Sequence, residues 1–268
     1  MNAVADASYE TTDEDGLRIE LDGPVLRLTM NRPDARNAMT PAMWRRLIVA
    51  RDLAIEVHPQ VIILAGAGAS FSAGMDKRMF TPEGIPGEKS LISLAKDNDG
   101  DILADIDQIQ QSFSWLTDIP AITIAVVQGH AVGGGFQIAL ACDLVFCAED
   151  AQFSMREAAY GLVPDLTGTT DLVQTVGYKR ALEICLTTRW VSGSEAVQIG
   201  IAVDCVPNAE LADRADELVQ TLTSRLPGTC SATKALLRAG TTATSSEQRL
   251  NERVSQSGRL AMLTKLMG

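Results

Sequence analysis

The chain has 268 residues, and 34 acidic against 23 basic side chains leave a formal net charge of -11. That length holds one substantial core, and 46% hydrophobic with 21% charged residues excludes a globally disordered chain. The acidic balance argues against nucleic acid as a partner, because a polyphosphate normally needs a basic face, but it leaves room for a small basic cluster that holds a phosphorylated ligand.

Residues 1–15 are polar and acidic and are expected to form a disordered tail; they contain neither a basic n-region nor an apolar h-region, so no signal peptide or anchor is read there. Leu17 to Leu21 and Val25 to Met30 flank Asp22-Gly23-Pro24, a hairpin signal. After NRPDARNAM, Thr40-Pro41 supplies an N-cap and a proline at the first helical position. Met43, Leu47, Ala50, Ala54 and Val57 then recur with a period near that of a helix.

Val61 to Leu64 is a fully apolar run, as expected of a strand buried on both faces. GAGASFSAGMDKRMF follows, then TPEGIPGEKS, whose prolines and glycines predict a mobile loop. Residues 91–117 read as one helix ending near Trp115.

Ile119 to Cys142 is a 24-residue stretch without a formal charge, long enough to resemble a membrane span. Its Pro120, Gln128, Gly129, His130 and three consecutive glycines read instead as a buried strand, a turn and a helix opening at Gly134 or Gly135. Leu144 to Cys147 supplies another strand. Strand-helix-strand alternation predicts an α/β core with parallel pairing. From about Thr169 the chain reads as mainly helical, broken at Ser192-Gly193, Gly200 and Pro227-Gly228.

The five cysteines are scattered and contain no CxxC pair, which points to a reducing, cytoplasmic compartment rather than a disulfide framework or metal site. Cys142 and Cys147 are read as small core residues, and Trp44 and Trp115 as packing residues. The two histidines, His58 and His130, lie far apart and are not expected to hold a metal.

Two glycine-rich turns each follow a buried strand, and a backbone free of side chains can aim two N–H groups at one oxyanion. The same glycines also suit plain strand-to-helix turns. Dinucleotide binding is disfavoured, because the third glycine of a G-x-G-x-x-G motif starting at Gly66 falls on Phe71. In FSMREAAYGLVPDLTGT, Glu157 and Asp165 stand eight residues apart across Gly161 and Pro164. A helical turn and a loop can bring both carboxylates to one cavity as base and acid, or both are solvated, with Asp165 near a helix start at Thr167-Gly168.

Together, NRPDARNAM, SFSAGMD, GHAVGGGFQIALACDL and FSMREAAYGLVPDLTGTT resemble, in order and spacing, the enoyl-CoA hydratase/isomerase (crotonase) superfamily. The resemblance implies an α/β fold of repeated ββα units over 16–200 with the acyl-CoA site. It also implies a helical C-terminal region over 201–268 that builds a homotrimer or a dimer of trimers. Acyl-CoA is the implied substrate, with no metal, no further cofactor and no membrane partner.

Residue by residue, the resemblance puts an oxyanion hole on the backbone N–H groups of Met75 and Gly134. Ala73, Met75 and Asp76 would line the adenine and pantetheine path. Where the family often has a basic residue after NRP, this chain has Asp34, so Arg36, Lys77 and Arg78 remain as candidates for the CoA phosphates. Of the two hydratase glutamates, the later is present as Glu157 and the earlier is Gln137, which cannot take a proton. Dienoyl-CoA isomerases of the superfamily place carboxylates at the positions of Glu157 and Asp165, though they also carry an Asp where this chain has Gln137. Double-bond isomerisation of an unsaturated acyl-CoA is therefore favoured. The alternatives are a hydratase with Glu157 as main acid/base and a weakly catalytic acyl-CoA binder.

Overall fold

The computed structural model describes residues 11–267. The chain opens with β1 (Thr12–Glu14), β2 (Leu17–Asp22), β3 (Val25–Met30), α1 (Pro41–Val57) and β4 (Val61–Gly66). It continues through α2 (Leu91–Leu94), α3 (Asp99–Asp118), β5 (Ile122–Val127), β6 (His130–Val132), α4 (Gly134–Leu140), β7 (Leu144–Ala148) and β8 (Gln152–Ser154). The last part holds α5 (Gly168–Val176), α6 (Tyr178–Thr187), β9 (Val191–Ser192), α7 (Gly193–Gln198), β10 (Asp204–Val206), α8 (Leu211–Thr223), α9 (Thr229–Gly240) and α10 (Ser245–Met267).

The main sheet runs β1-β2-β3-β4-β5-β7-β10. β1, β2 and β3 pair antiparallel, and from β3 onward every pair is parallel. Side chains of a strand alternate between faces, so β5 sends Ile122, Ile124 and Val126 one way and Ala125 and Val127 the other. The first face packs on Leu211, Ala215 and Val219, one helical stripe of α8. The second packs on α1, α3 and α4 through Met43, Leu47, Phe113 and Ile138. Burial of each large apolar side chain contributes about 1.5–3 kcal/mol, and helices on both faces account for the continuous apolar runs of β4 and β5.

A second, smaller sheet carries β6-β8-β9. Its β6 and β8 are parallel with Val132 opposite Ser154, so the chain leaves both strands at the same end.

Several expectations change. Of the tail expected over 1–15, Thr12–Glu14 is a strand paired to β2, while residues 1–10 lie outside the described residues. The helix expected over 91–117 is broken: Asn98 caps a new start by accepting from the Asp101 N–H at 3.1 Å, so α2 and α3 are separate. The C-terminal part is mainly helical as expected, with β10 as an added short strand that joins the main sheet beside β7.

α9 is tied to the sheet by charge. The Lys234 ammonium donates to the Asp143 carboxylate at 2.7 Å, with side-chain exposures of 7% and 14%, and to the Ala121 carbonyl oxygen at 2.9 Å. Asp143 also accepts from the Thr123 N–H at 2.9 Å. Removing one partner strands a buried charge. Asp143→Ala is expected to cost about 3–5 kcal/mol in urea unfolding, and Asp143→Ala combined with Lys234→Met to recover much of that loss.

Candidate active site

Three extended segments converge at the end of the small sheet. Ser72 bridges Ala131 of β6 in parallel, and Met75 bridges Met39. In the Met39–Met75 bridge the bonds run from the Met39 N–H to the Gly74 carbonyl at 2.7 Å and from the Asp76 N–H to the Met39 carbonyl at 2.9 Å. Met75's own N–H therefore faces away from Met39, and among the described residues it has no acceptor.

On the other turn, Gly133 donates its N–H to the Ser154 carbonyl at 2.9 Å and adopts φ 52°, ψ -120°, a conformation that glycine tolerates and side chains resist. Gly134 follows as the first residue of α4, whose start has no capping side chain, so its N–H is an open first-turn donor. The two turns touch: a Cβ on Gly74, which has φ 82°, would sit 2.4 Å from the Val132 carbonyl oxygen and 3.5 Å from the Gly134 nitrogen. Only a glycine at 74 permits that approach.

Because β6 and β8 end together, Glu157 follows β8 to the same place. Its Oε1 lies 3.3 Å from where a Cβ on Gly133 would be. Oε1 accepts from the Gln137 side-chain amide at 2.7 Å. Oε2 is buried and has no hydrogen-bond partner. Burial pushes the Glu157 carboxyl above its ordinary range, and the nearby Asp165 charge pushes the same way.

Gln137, fully buried on α4, is occupied at both ends, because its Oε1 accepts the Leu166 N–H at 2.8 Å. It thus fastens the Asp165–Leu166 loop to Glu157. Gln110 of α3 donates to the Asp165 carbonyl from the opposite side. The Asp165 carboxyl is also raised by burial. It lines a polar cavity with Gln110, Ser114 and Asp171, whereas Met75 lines a different, largely apolar one with Trp44, Ile48, Met79, Leu91 and Ile109.

The candidates for binding phosphates fare unequally. Asp76, expected along the ligand path, has its carboxylate turned onto Arg78 at 2.9 Å and Arg32 at 3.0 Å. The Arg78 hydrogen bond, foremost, holds that carboxyl far below the usual carboxylate range. Arg78 is thereby partly engaged, while Arg36 and Lys77 are exposed and Ala73 is half-buried, its N–H donating to the Arg36 carbonyl at 2.8 Å. Arg32 and Gln110 were missed by sequence reading; each reaches its partner across 44 and 55 residues respectively, which no local pattern reveals. Phe80 and Tyr160, with ring centroids 5.3 Å apart, join the turn after Met75 to the turn that begins at Glu157. Cys142 and Cys147 are buried with raised thiol pKa values, as core residues.

Open backbone donors thus stand beside a buried carboxyl on an α/β fold. The family profile for enoyl-CoA hydratase/isomerase matches residues 20–259, and the chain belongs to that family, with the crotonase fold. It is 31% identical over 212 residues to a hydroxycinnamoyl-CoA hydratase-lyase of Pseudomonas fluorescens, covering 79% of this chain and 74% of that protein. It is 34% identical over 232 residues to a carnitinyl-CoA dehydratase of Salmonella paratyphi A, covering 84% and 81%. A candidate enoyl-CoA hydratase of Thermobifida fusca YX, solved in complex with acetoacetyl-CoA, superposes with a TM-score of 0.88 at 39% identity over 92% of this chain and 96% of that one.

The raised Glu157 pKa has a stability consequence. A carboxyl that binds its proton more tightly when folded stabilises the protein below its ordinary value of 4.5, and that contribution is lost as pH rises through the folded value. Glu157→Gln removes the loss. The variant is expected to be more stable than the parent at neutral pH, with the difference vanishing below about pH 4 in thermal unfolding.

Proposed function

We propose that the protein is an acyl-CoA enzyme that moves a proton next to the thioester, with double-bond isomerisation as its preferred reaction. The observation that carries this reading is Glu157: one carboxylate oxygen anchored by Gln137, the other buried and unpartnered, beside the open N–H groups of Met75 and Gly134. A carbon acid next to a thioester loses its proton only if the charge arriving on the carbonyl oxygen meets preorganised donors in a dry site. The two backbone N–H groups serve that oxygen, and Glu157 Oε2 takes the proton.

With a 3,5-dienoyl thioester, proton loss from C2 gives a dienolate whose charge extends to C6. Asp165 enters as the carboxylic acid, the form that burial favours, and delivers a proton to C6, and the double bonds move to positions 2 and 4. Glu157 ends protonated and Asp165 ionised, and exchange with solvent restores both. Arg36, Lys77 and Arg78 supply positive charge for the CoA phosphates. The same reading includes a homotrimer or a dimer of trimers, supported by apolar side chains left exposed on the last helices, such as Leu237 and Val254.

A second reading, reversible water addition with Glu157 as sole acid/base, draws support from the dehydratase and hydratase-lyase relatives. The separate cavity that Asp165 lines favours it too. In that case the water sits on Glu157 Oε2, since both ends of the Gln137 amide are engaged.

Ultraviolet assays with a 3,5-dienoyl-CoA and a 2-enoyl-CoA separate the two. Isomerisation is expected to show growth of the extended conjugation band, reduced by about 10²–10⁴-fold in Glu157→Gln and strongly reduced in Asp165→Asn. Loss of the enone band, unaffected by Asp165→Asn, selects water addition. Silence in both assays, with acyl-CoA still bound, means that the substrate is another thioester or that the protein is a binder.

A further inference from the structure

The peptide group between Asp165 and Leu166 is held on both sides by side-chain amides. Its carbonyl oxygen accepts from the Gln110 amide nitrogen of α3, and its N–H donates to Gln137 Oε1 at 2.8 Å. Gln137 then donates from Nε2 to Glu157 Oε1 at 2.7 Å. Gln110, the peptide and Gln137 thus stand as amides in series between α3 and the carboxylate. The direction of the series is fixed: a carbonyl oxygen only accepts and a backbone N–H only donates. Gln110 must therefore present nitrogen to Asp165, and Gln137 must present oxygen to Leu166, which leaves its nitrogen for Glu157. An amide whose oxygen accepts a hydrogen bond donates more strongly from its nitrogen, so the bonds of such a chain reinforce one another.

The surroundings make this support matter. Burial, foremost, pushes the Glu157 carboxyl up, and the bond from Gln137 works against it. The other titratable groups near it give no such help. Asp165 adds negative charge, and the Cys185 thiol of α6, pushed up by burial and then by the Glu157 charge, is neutral when Glu157 ionises. Arg156, the preceding residue, has its guanidinium stacked on Trp190, 4.5 Å from the ring centre.

Resting on the reading of Glu157 as proton acceptor, we propose that Gln110 is a positioning residue for the reaction: through the Asp165–Leu166 peptide and Gln137 it keeps the Glu157 carboxylate ionised and aimed, although its own hydrogen bond ends on Asp165. Gln110 is half-buried on the wall of the polar cavity, so Gln110→Met removes the donor without opening the core.

The test is a pH titration of Glu157 in the full chain by NMR of carbon-13-labelled glutamate, its carboxyl signal identified by its loss in Glu157→Gln. In Gln110→Met the midpoint is expected to rise by about half a pH unit, and in Gln137→Met by more. When both substitutions are combined, the Gln110 effect is expected to vanish, because the series is already cut. The acid limb of kcat/KM moves to higher pH with the midpoint in Gln110→Met. A midpoint that stays in place in Gln110→Met, or a Gln110 effect of equal size with and without Gln137, overturns the proposal. Where Gln137→Met does not fold, the same comparison in Asp165→Asn decides: the Gln110 effect persists there if the amide series carries it, and its disappearance traces it to the Asp165 charge and overturns the proposal. Absence of turnover by the parent overturns the proton-transfer reading and the part of Gln110 in it, whichever way the titration falls.

Discussion

The site depends on the side chain of Gln137. Its amide nitrogen holds Glu157 at 2.7 Å and its amide oxygen holds the Leu166 N–H at 2.8 Å, from a position on α4 that is fully buried. One neutral group therefore orients the carboxyl, positions the loop that carries Asp165 and leaves Glu157 Oε2 as the unengaged oxygen. A glutamate at 137 would place a second anion against Glu157, where like charges raise at least one pKa. The amide avoids this and fixes geometry instead of adding a second titrating group. A Cβ on Gly168 would meet the Gln137 side chain at 2.7 Å, so the start of α5 packs against the clamp and limits its motion.

That clamp works only because the backbone delivers its partners to one edge. Parallel pairing of β6 with β8 brings Gly133 and Glu157 out of the small sheet together, and the Ser72–Ala131 bridge lays the Met75 segment alongside. The open donors are by-products of this arrangement. Met75 is passed over because its neighbours bond Met39, and Gly134 because it begins a helix without a cap. In the interior, where effective dielectric is low, such fixed dipoles act more strongly on a developing charge than water would.

Much of this is legible in the chain, and unevenly. The hairpin at Gly23, the buried strands β4 and β5, and the helix opening at Gly134 follow from turn residues and apolar runs that act locally. Glu157 and Asp165 stand out as a spaced pair in a glycine- and proline-marked stretch. Their proximity to the glycine turns is a matter of sheet register, which no local pattern encodes. Asp76 illustrates the limit: next to the first glycine-rich turn it looks like a ligand contact, yet Arg32, 44 residues away, and Arg78 take its carboxylate. β10 was unreadable for a similar reason, since a three-residue strand between helices is recognised only once β7 is beside it. Trp44 reads as a packing residue, and it is buried in the core.

The claim on which everything rests is that Glu157 removes a proton from carbon next to a thioester held by the two backbone donors. Its most direct measurement is deuterium wash-in at C2 of butyryl-CoA in heavy water, followed by mass spectrometry for the parent and Glu157→Gln. Exchange by the parent, slowed by about 10²-fold or more in the variant while the thioester stays bound, is the predicted result. Exchange that is unchanged in Glu157→Gln, or absent from the parent although butyryl-CoA binds, would contradict it.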